Sequence, residues 1–410
     1  MSEEVKNEIV QPDWLNQDFI QNALQEAFKD NSLKVSKFSI NLATAPGDNY
    51  VSQIFRVNVE LSSKTKSKQD FNFLIKSLPK GDKMEDFVHE CDLFQKEAKM
   101  LSTILPKVYK YLTEAGYPHK WSAEVYYSQG PPRDLIFLED LRPQGYRVAD
   151  RRVGLDLEHS TVVLESLAVL HAGTLALIEK EPEIVKQLDE GFWLEPNEKM
   201  LRKTLEEGIE GLSEEMEKWT DIPEKYARSM KSLQNSVVEK TFKSFRRRDD
   251  RFNVITHGDT WTNNYMFKYD GQKVENLKFV DFQIGGYNSP VLDLIYFIFS
   301  SPAGDIRFSK LDYFLETYYN KLREVCKALK LKNFNYTLKD LKDDFDSRIF
   351  FGLVVSICVF PFTIVKDDDI MDPNDLLDEN TKMDTKIYRT ARYVKEMKMA
   401  LPFFEKKGIL

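Results

Sequence analysis

Residues 255–293 read ITHGDTWTNNYMFKYDGQKVENLKFVDFQIGGYNSPVLD, and the rest of the chain is organised around them. The stretch opens on a His-Gly-Asp turn, places Asn264 five residues after Asp259, and ends an apolar strand on Asp281. Two acidic groups and an amide on neighbouring loops suit the handling of a nucleotide phosphate with its divalent cations. The residues before the stretch read as a nucleotide-holding half, and those after it as helical support.

The 410 residues have room for two lobes with a sizeable core. Lys and Arg total 58 against 66 Asp and Glu, a net charge of −8. That balance argues against a surface built for nucleic acid or anionic lipid. Cys91, Cys326 and Cys358 are far apart and lack ligand-like spacing. A disulfide framework or zinc site is not expected, and a reducing, cytoplasmic compartment fits. The start, MSEEVKNEIV, lacks the basic-then-apolar pattern of a signal peptide. Residues 349–365 (IFFGLVVSICVFPFTIV) carry no charge, yet they fall short of the ~20 residues of a span and contain Pro361. They predict a buried core helix ending near Pro361, in a soluble protein without membrane insertion.

Upstream, Pro12-Asp13-Trp14-Leu15 opens a helical pattern that runs to about Phe28, with Pro in the first turn. Period-two runs at 38–42, 50–61 and 70–76 predict strands. The break between the first two, with Gly47, Asp48 and Asn49, is a glycine turn that can bring backbone N–H groups to an anion. The third strand ends on Lys76, which alone reads as a solvated strand end. A helical pattern over 87–105 carries Glu97, so the order Lys-on-strand, Glu-on-next-helix offers an ion pair that aims the ammonium at phosphates. Two more strands fall within 125–138, and polarity rises at Glu139-Asp140-Leu141-Arg142-Pro143. The expected division is therefore an N-lobe of residues 1–138, a hinge at 139–143 whose backbone meets an adenine edge, and a C-lobe of residues 144–410.

The C-lobe reads as helices at 156–176, 196–212, 214–219, 222–245, 310–329, 338–365 and 385–401. Short strands are expected at 254–255 and 277–280, and 291–299 reads as an apolar helix or strand. His171, in a Leu-His-Ala run, reads as a satisfied structural histidine. Arg246-Arg247-Arg248 is balanced by Asp249 and Asp250 and reads as a solvated helix end.

Phosphoryl transfer asks a protein for positioning and charge neutralisation more than for covalent chemistry. Asp259 is the candidate base or hydroxyl-orienting group, and Asn264 and Asp281 are the candidate Mg²⁺ ligands, hard oxygens of the type that ion takes. His257 reads as packed under the loop and bonded to backbone. His-Gly-Asp alone is also what an ordinary turn before a strand looks like. The further spacing to Asn264, and to Asp281 17 residues beyond it, makes the pattern specific.

These motifs, HGDTWTNNYMF, KFVDFQ and SPVLDLIYFIFSS, resemble the ecdysteroid kinase-like family (the CHK kinase-like group), relatives of choline and aminoglycoside kinases. Gly47-Asp48-Asn49-Tyr50, Phe94-Gln95-Lys96-Glu97 and GYRVADRRVGLDLEH extend the likeness over most of the chain. The resemblance implies an α+β, two-lobed protein-kinase-like fold: an N-lobe antiparallel sheet with helices, and a mostly helical C-lobe. It implies ATP and Mg²⁺, Asp259 as catalytic residue, Asn264 and Asp281 on metal, and Lys76 on phosphate with Glu97 as its partner. By the same likeness Gly47, Asp48 and Asn49 meet phosphates, Glu139 and Leu141 belong to the adenine-contacting hinge, and Asp293 braces the catalytic loop.

Two departures from protein kinases stand out. The turn at Gly47 lacks G-x-G-x-x-G, and Trp261 stands where protein kinases commonly place Lys. Only 11 residues separate Asp281 from Asp293, too few for a long activation segment, so a small molecule is expected rather than a protein substrate. The leading expectation is an O-kinase acting on an ecdysteroid-like or other, xenobiotic, alcohol. The alternatives are a catalytically inactive nucleotide-binding or scaffold protein, and a metallohydrolase using His257, Asp259 and Asp281.

Overall fold

The computed structural model describes residues 12–43, 52–65, 67–78, 83–131, 133–332, 334–365, 377–378 and 381–410. The turn with Gly47, Asp48 and Asn49 lies outside them. Packing divides the chain into two compact units, Met1–Glu85 with Ala123–Gln144, and Asp86–Ser122 with Gly145–Leu410. The first is an antiparallel sheet with a helix and the second is mostly helical, so the expected α+β class holds. Packing groups Asp86–Ser122 with the helical unit, whereas the lobes expected from the sequence place it in the first half. The division about a hinge at 139–143 stays a functional proposal.

In the first unit, β1 (Lys34–Leu42), β2 (Gln53–Ser62), β3 (Gln69–Ser77), β4 (Val125–Gln129) and β5 (Leu135–Glu139) form one sheet in the order β1-β2-β3-β5-β4. Alternation decides its faces. Phe55, Val57, Val59 and Leu61 of β2 are buried with Phe73 and Ile75 of β3 and Phe137 of β5, under Ile20 and Leu24 of the helix Gln17–Phe28. Stacked Phe73 and Phe137 rings, 5.0 Å apart, tie the central strands together. Lys76 points to the other face, where register sets it beside Ile54 and Ile136. The helix begins later than expected. Asn16 caps it by accepting the Phe19 N–H at 3.0 Å, so residues 12–15 precede the first turn.

The second unit is built around the helix Leu157–Lys180, with Leu311–Ala328 packed along it. Leu157–Lys180 is the helix among the described residues that is long and apolar enough to cross a membrane, and most of its apolar stretch is buried in the unit. The helix expected over 87–105 is segmented: Lys83–Glu90, Leu93–Lys99, a π turn at Met100–Ile104, then Leu105–Glu114. Asp92 breaks it with φ +54°, and Pro106, which has no N–H and crowds the preceding turn, accompanies the widened π turn. The expected helix 338–365 is three helices, Leu338–Ser347, Phe350–Cys358 and Phe360–Ile364. Pro361 sits in the first turn of the last, where its missing N–H costs nothing. Residues 349–365 are buried at all but two positions, consistent with a core role. Glu198–Met216 runs through the break expected at residue 213, whereas the helix expected over 222–245 is two shorter ones, Lys225–Ser232 and Val237–Phe245.

Five short strands complete this unit: β6 (Arg147–Val148), β7 (Val254–Ile255), β8 (Tyr265–Asp270), β9 (Lys273–Phe279) and β10 (Tyr287–Asn288). They pair as β6-β8-β9 and β10-β7. The β8–β9 hairpin is absent from the sequence expectation, which has only 277–280. Its signal is Asp270-Gly271 between apolar alternations, with Gly271 at φ +60°.

Candidate active site

Pairing of β7 with β10 sets the His-Gly-Asp turn directly on the backbone of residues 284–286. Gly258 has φ +87°, and a Cβ there would lie 2.5 Å from the Ile284 carbonyl. Gly285 is as tight, its missing Cβ 2.3 Å from the Thr256 oxygen. Only glycine allows this approach. Gly258→Ala is expected to destabilise the protein by at least about 2 kcal/mol, from a left-handed Cβ plus a backbone clash. Urea unfolding measures this, and a loss under about 0.5 kcal/mol would contradict the packing.

Behind the turn, Asp293 is fully buried near the start of the helix Val291–Ser300. Its Oδ2 accepts the His257 N–H at 2.7 Å and His171 Nε2 at 3.0 Å, and its Oδ1 accepts the Gly258 N–H at 2.8 Å. Thr260 donates its hydroxyl to the Asp293 carbonyl at 2.7 Å. Burial works to raise the pKa of Asp293, but the contacts with His171 and His257 outweigh it, and the net shift is downward. His171 is the structural histidine expected from its setting, held on its other nitrogen by the Tyr318 hydroxyl at 2.8 Å. His257 is backbone-bonded as expected: Nε2 lies 3.1 Å from the Val280 carbonyl and Nδ1 accepts the Asp259 N–H. Burial lowers its pKa, which suits a neutral ring that donates on one side and accepts on the other.

Asp259 leaves this turn half-buried, with donors on both oxygens. Tyr296 donates its hydroxyl to Oδ1 at 2.6 Å, and Asn264 donates its amide to Oδ2 at 2.7 Å. The Trp261 indole N–H reaches Oδ2 at 3.3 Å. Spacing explains the second donor. The backbone tightens into a 3₁₀ turn at Thr262–Asn264, so Asn264 folds back and also meets the Asp259 carbonyl at 2.9 Å. The carboxyl is pushed up to about 6, first by burial and then by the negative charge of Asp281, against the three donors that pull it down.

Asp281 lies two residues past the end of β9, with φ +68°, a left-handed conformation uncommon for a residue with a Cβ. The strand therefore stops short of it, contrary to the expectation that the strand ends on it. The buried Gln283 donates its amide to Asp281 Oδ1. Asp259, Asn264 and Asp281 thus come together as the spacing predicts. Among the described residues no group of three His, Cys, Asp or Glu side chains is placed to hold a metal. The Asn264 amide oxygen and the Asp281 carboxylate are hard oxygens of the kind Mg²⁺ takes, an ion that would keep waters and substrate oxygens for its other positions. A cation there would also relieve the repulsion that raises Asp259.

The remaining predicted residues are distributed over both units. Lys76 is buried on β3 of the first unit, and Glu97 is buried on Leu93–Lys99 of the second. In the first unit Glu139 accepts the Glu124 N–H and the Gln144 amide, and Leu141 is buried. Tyr296 is a site residue absent from the sequence expectation. Its signal is a position three residues after Asp293, one turn along the same helix face.

Comparison with curated proteins returns no match. Among solved structures, one similar chain is the aminoglycoside phosphotransferase APH(3'')-Id from Streptomyces rimosus, at 11% identity and a TM-score of 0.30, over 83% of this chain and 97% of that one. At that TM-score the likeness carries no argument. The model of the ecdysteroid kinase-like family matches residues 46–331, which take in Lys76, Glu97, the His-Gly-Asp turn, Asp281 and Asp293. That match spans well over half of the sequence, and the chain belongs to the ecdysteroid kinase-like family.

Proposed function

We propose that the protein is an ATP-dependent small-molecule O-kinase that phosphorylates a hydroxyl of an ecdysteroid-like or other small alcohol. The observation that carries the reading is Asp259 held between Tyr296 and Asn264, with Asp281 close enough to raise its pKa. Family membership supports a kinase-like phosphotransferase, and the short Asp281-to-Asp293 connection supports a small acceptor. When bound, Mg·ATP supplies the transferable phosphoryl group and neutralises its charge.

In this reading Asp259 orients the acceptor hydroxyl and takes its proton as the oxygen–phosphorus bond forms and the bond to the departing ADP oxygen breaks. Asn264, its amide nitrogen committed to Asp259, offers Oδ1 to the cation, and Asp281 offers a carboxylate oxygen. Lys76 and its proposed partner Glu97 serve the phosphates, together with the turn at Gly47, Asp48 and Asn49. Glu139 and Leu141 frame the adenine-contacting hinge, and a reducing, cytoplasmic setting suits the three cysteines.

The test is transfer of labelled γ-phosphate from ATP with magnesium to a panel of ecdysteroids, other sterols, phenolic alcohols, choline and aminoglycosides. A phosphorylated product that Asp259→Asn does not make supports the reading and names the acceptor class. Intact nucleotide binding with no transfer favours a catalytically inactive nucleotide-binding protein, and no nucleotide binding removes the reading. Asp281→Asn is expected to weaken magnesium-dependent ATP affinity by about tenfold or more, as loss of a charged hard-oxygen ligand should. Calorimetry across a magnesium titration checks it, and an unchanged magnesium dependence would take Asp281 out of the ligand set.

A further inference from the structure

The helix Val291–Ser300 does two things to the same turn. Asp293 holds the turn's backbone through the N–H groups of His257 and Gly258, and one turn later Tyr296 holds its side chain through Asp259 Oδ1 at 2.6 Å. Because both groups project from one rigid helix face, the backbone and the carboxylate of Asp259 are referenced to a single body.

A carboxylate has about four lone-pair positions on its two oxygens. Asn264 and Trp261 address Oδ2, and Tyr296 addresses Oδ1. Resting on the reading of Asp259 as the group that receives the acceptor hydroxyl, we infer that Tyr296 is a positioning residue for it. Its hydroxyl fixes the plane of the carboxylate and leaves the second lone pair of Oδ1 as the place where the acceptor O–H docks. Without that hydroxyl, Asp259 is held only on the Oδ2 side, through Asn264 and Trp261, and can swing about its last torsion.

The competing account is that the hydroxyl merely needs a partner in a buried place, since Tyr296 is only 5% exposed. The two accounts differ in what Tyr296→Phe does. Phenylalanine keeps the ring and its contact with Phe351, whose centroid is 6.3 Å away, so the packing survives in both. A structural hydroxyl would change stability and leave turnover alone, whereas a positioning hydroxyl changes turnover.

The experiment compares wild type, Tyr296→Phe and Asp259→Asn in magnesium-dependent phosphoryl transfer from ATP to ecdysone, and in ATP hydrolysis with water as acceptor. For Tyr296→Phe the turnover number is expected to fall about 10- to 100-fold while KM for ATP stays within about twofold, the signature of a misplaced reacting group. Turnover within about twofold of wild type, alongside an inactive Asp259→Asn, overturns the role of Tyr296 and leaves Asp259 standing. An Asp259→Asn protein as active as wild type overturns the reading of Asp259 instead. Crystals of Tyr296→Phe give an arm that needs no turnover. An Asp259 carboxylate rotated from its present orientation supports the inference, and one that has not moved overturns it.

Discussion

Asp259→Asn is expected to lose phosphoryl transfer by about 10²- to 10⁴-fold, the usual contribution of a positioned proton acceptor. The same change is expected to stabilise the protein in the absence of divalent metal. In the native state the carboxyl is pushed up to about 6 from an ordinary 3.8, so the unfolded chain gives up this proton more readily. Between those two pH values the native state holds the proton and the unfolded state does not, so this residue's contribution to stability falls as pH rises. It is fully lost above pH 6. The loss is on the order of 2 kcal/mol, with some allowance for the exposed part of the side chain.

Asparagine carries no such charge. Its oxygen can face the Asn264 amide and its nitrogen the Tyr296 hydroxyl oxygen, so both neighbours stay satisfied. Urea unfolding of wild type and Asp259→Asn in a chelator, from pH 4 to pH 8, should show the variant's advantage growing through pH 6. A flat difference would mean that Asp281 and burial do not load the carboxyl as described. Activity lost without that gain would separate the chemical role from the electrostatic one.

The largest loss of stability is expected at Asp293. Its carboxylate satisfies two backbone N–H groups and one imidazole in a place without solvent. Asp293→Asn turns an amide toward one of those donors and removes the charge they are arranged around. Breaking a buried, multiply bonded charge costs about 3–5 kcal/mol, and the His-Gly-Asp turn should lose its alignment with it. The expected protein is strongly destabilised to urea and has little transfer activity even where it stays folded. A variant within about 1 kcal/mol of wild type would remove the brace from the description. Asp259→Asn and Asp293→Asn are thus expected to lose activity together while moving stability in opposite directions, because burial and the Asp281 charge work against one carboxylate while hydrogen bonds satisfy the other.

Local pattern alone makes much of the site legible. Asp259 and Asn264 are joined by one tight turn, so their spacing predicts contact with no knowledge of the rest of the chain. Alternation in β2 predicts its buried face, and Asp293 is readable through the family's motif. Local pattern also misleads. The stretch 338–365 reads as one helix, yet the chain breaks it twice, at the buried Arg348 and Ile349 and again ahead of Pro361. Buried Arg348 donates to the carbonyls of Ser244 and Arg246, partners about 100 residues away. The hairpin β8–β9 departs from the expectation although Asp270-Gly271 announces it, because the register skips Glu275, and the adjacent polar Glu275 and Asn276 break the alternation of β9 that marks a strand.

The sequence by itself determined the class of the fold, the sheet face that is buried, the family, and which short-range groups meet: these come from periodicity, from turn chemistry and from spacings of a few residues. Only the tertiary structure decided that Asp281 raises the Asp259 carboxyl, that His171 and Tyr318 stand behind Asp293, and that Tyr296 holds Asp259 across 37 residues of chain. Those relations depend on which helix face meets which loop, and on how far burial strips water from a charge. Neither is written in any single stretch of residues, because both arise when distant segments pack.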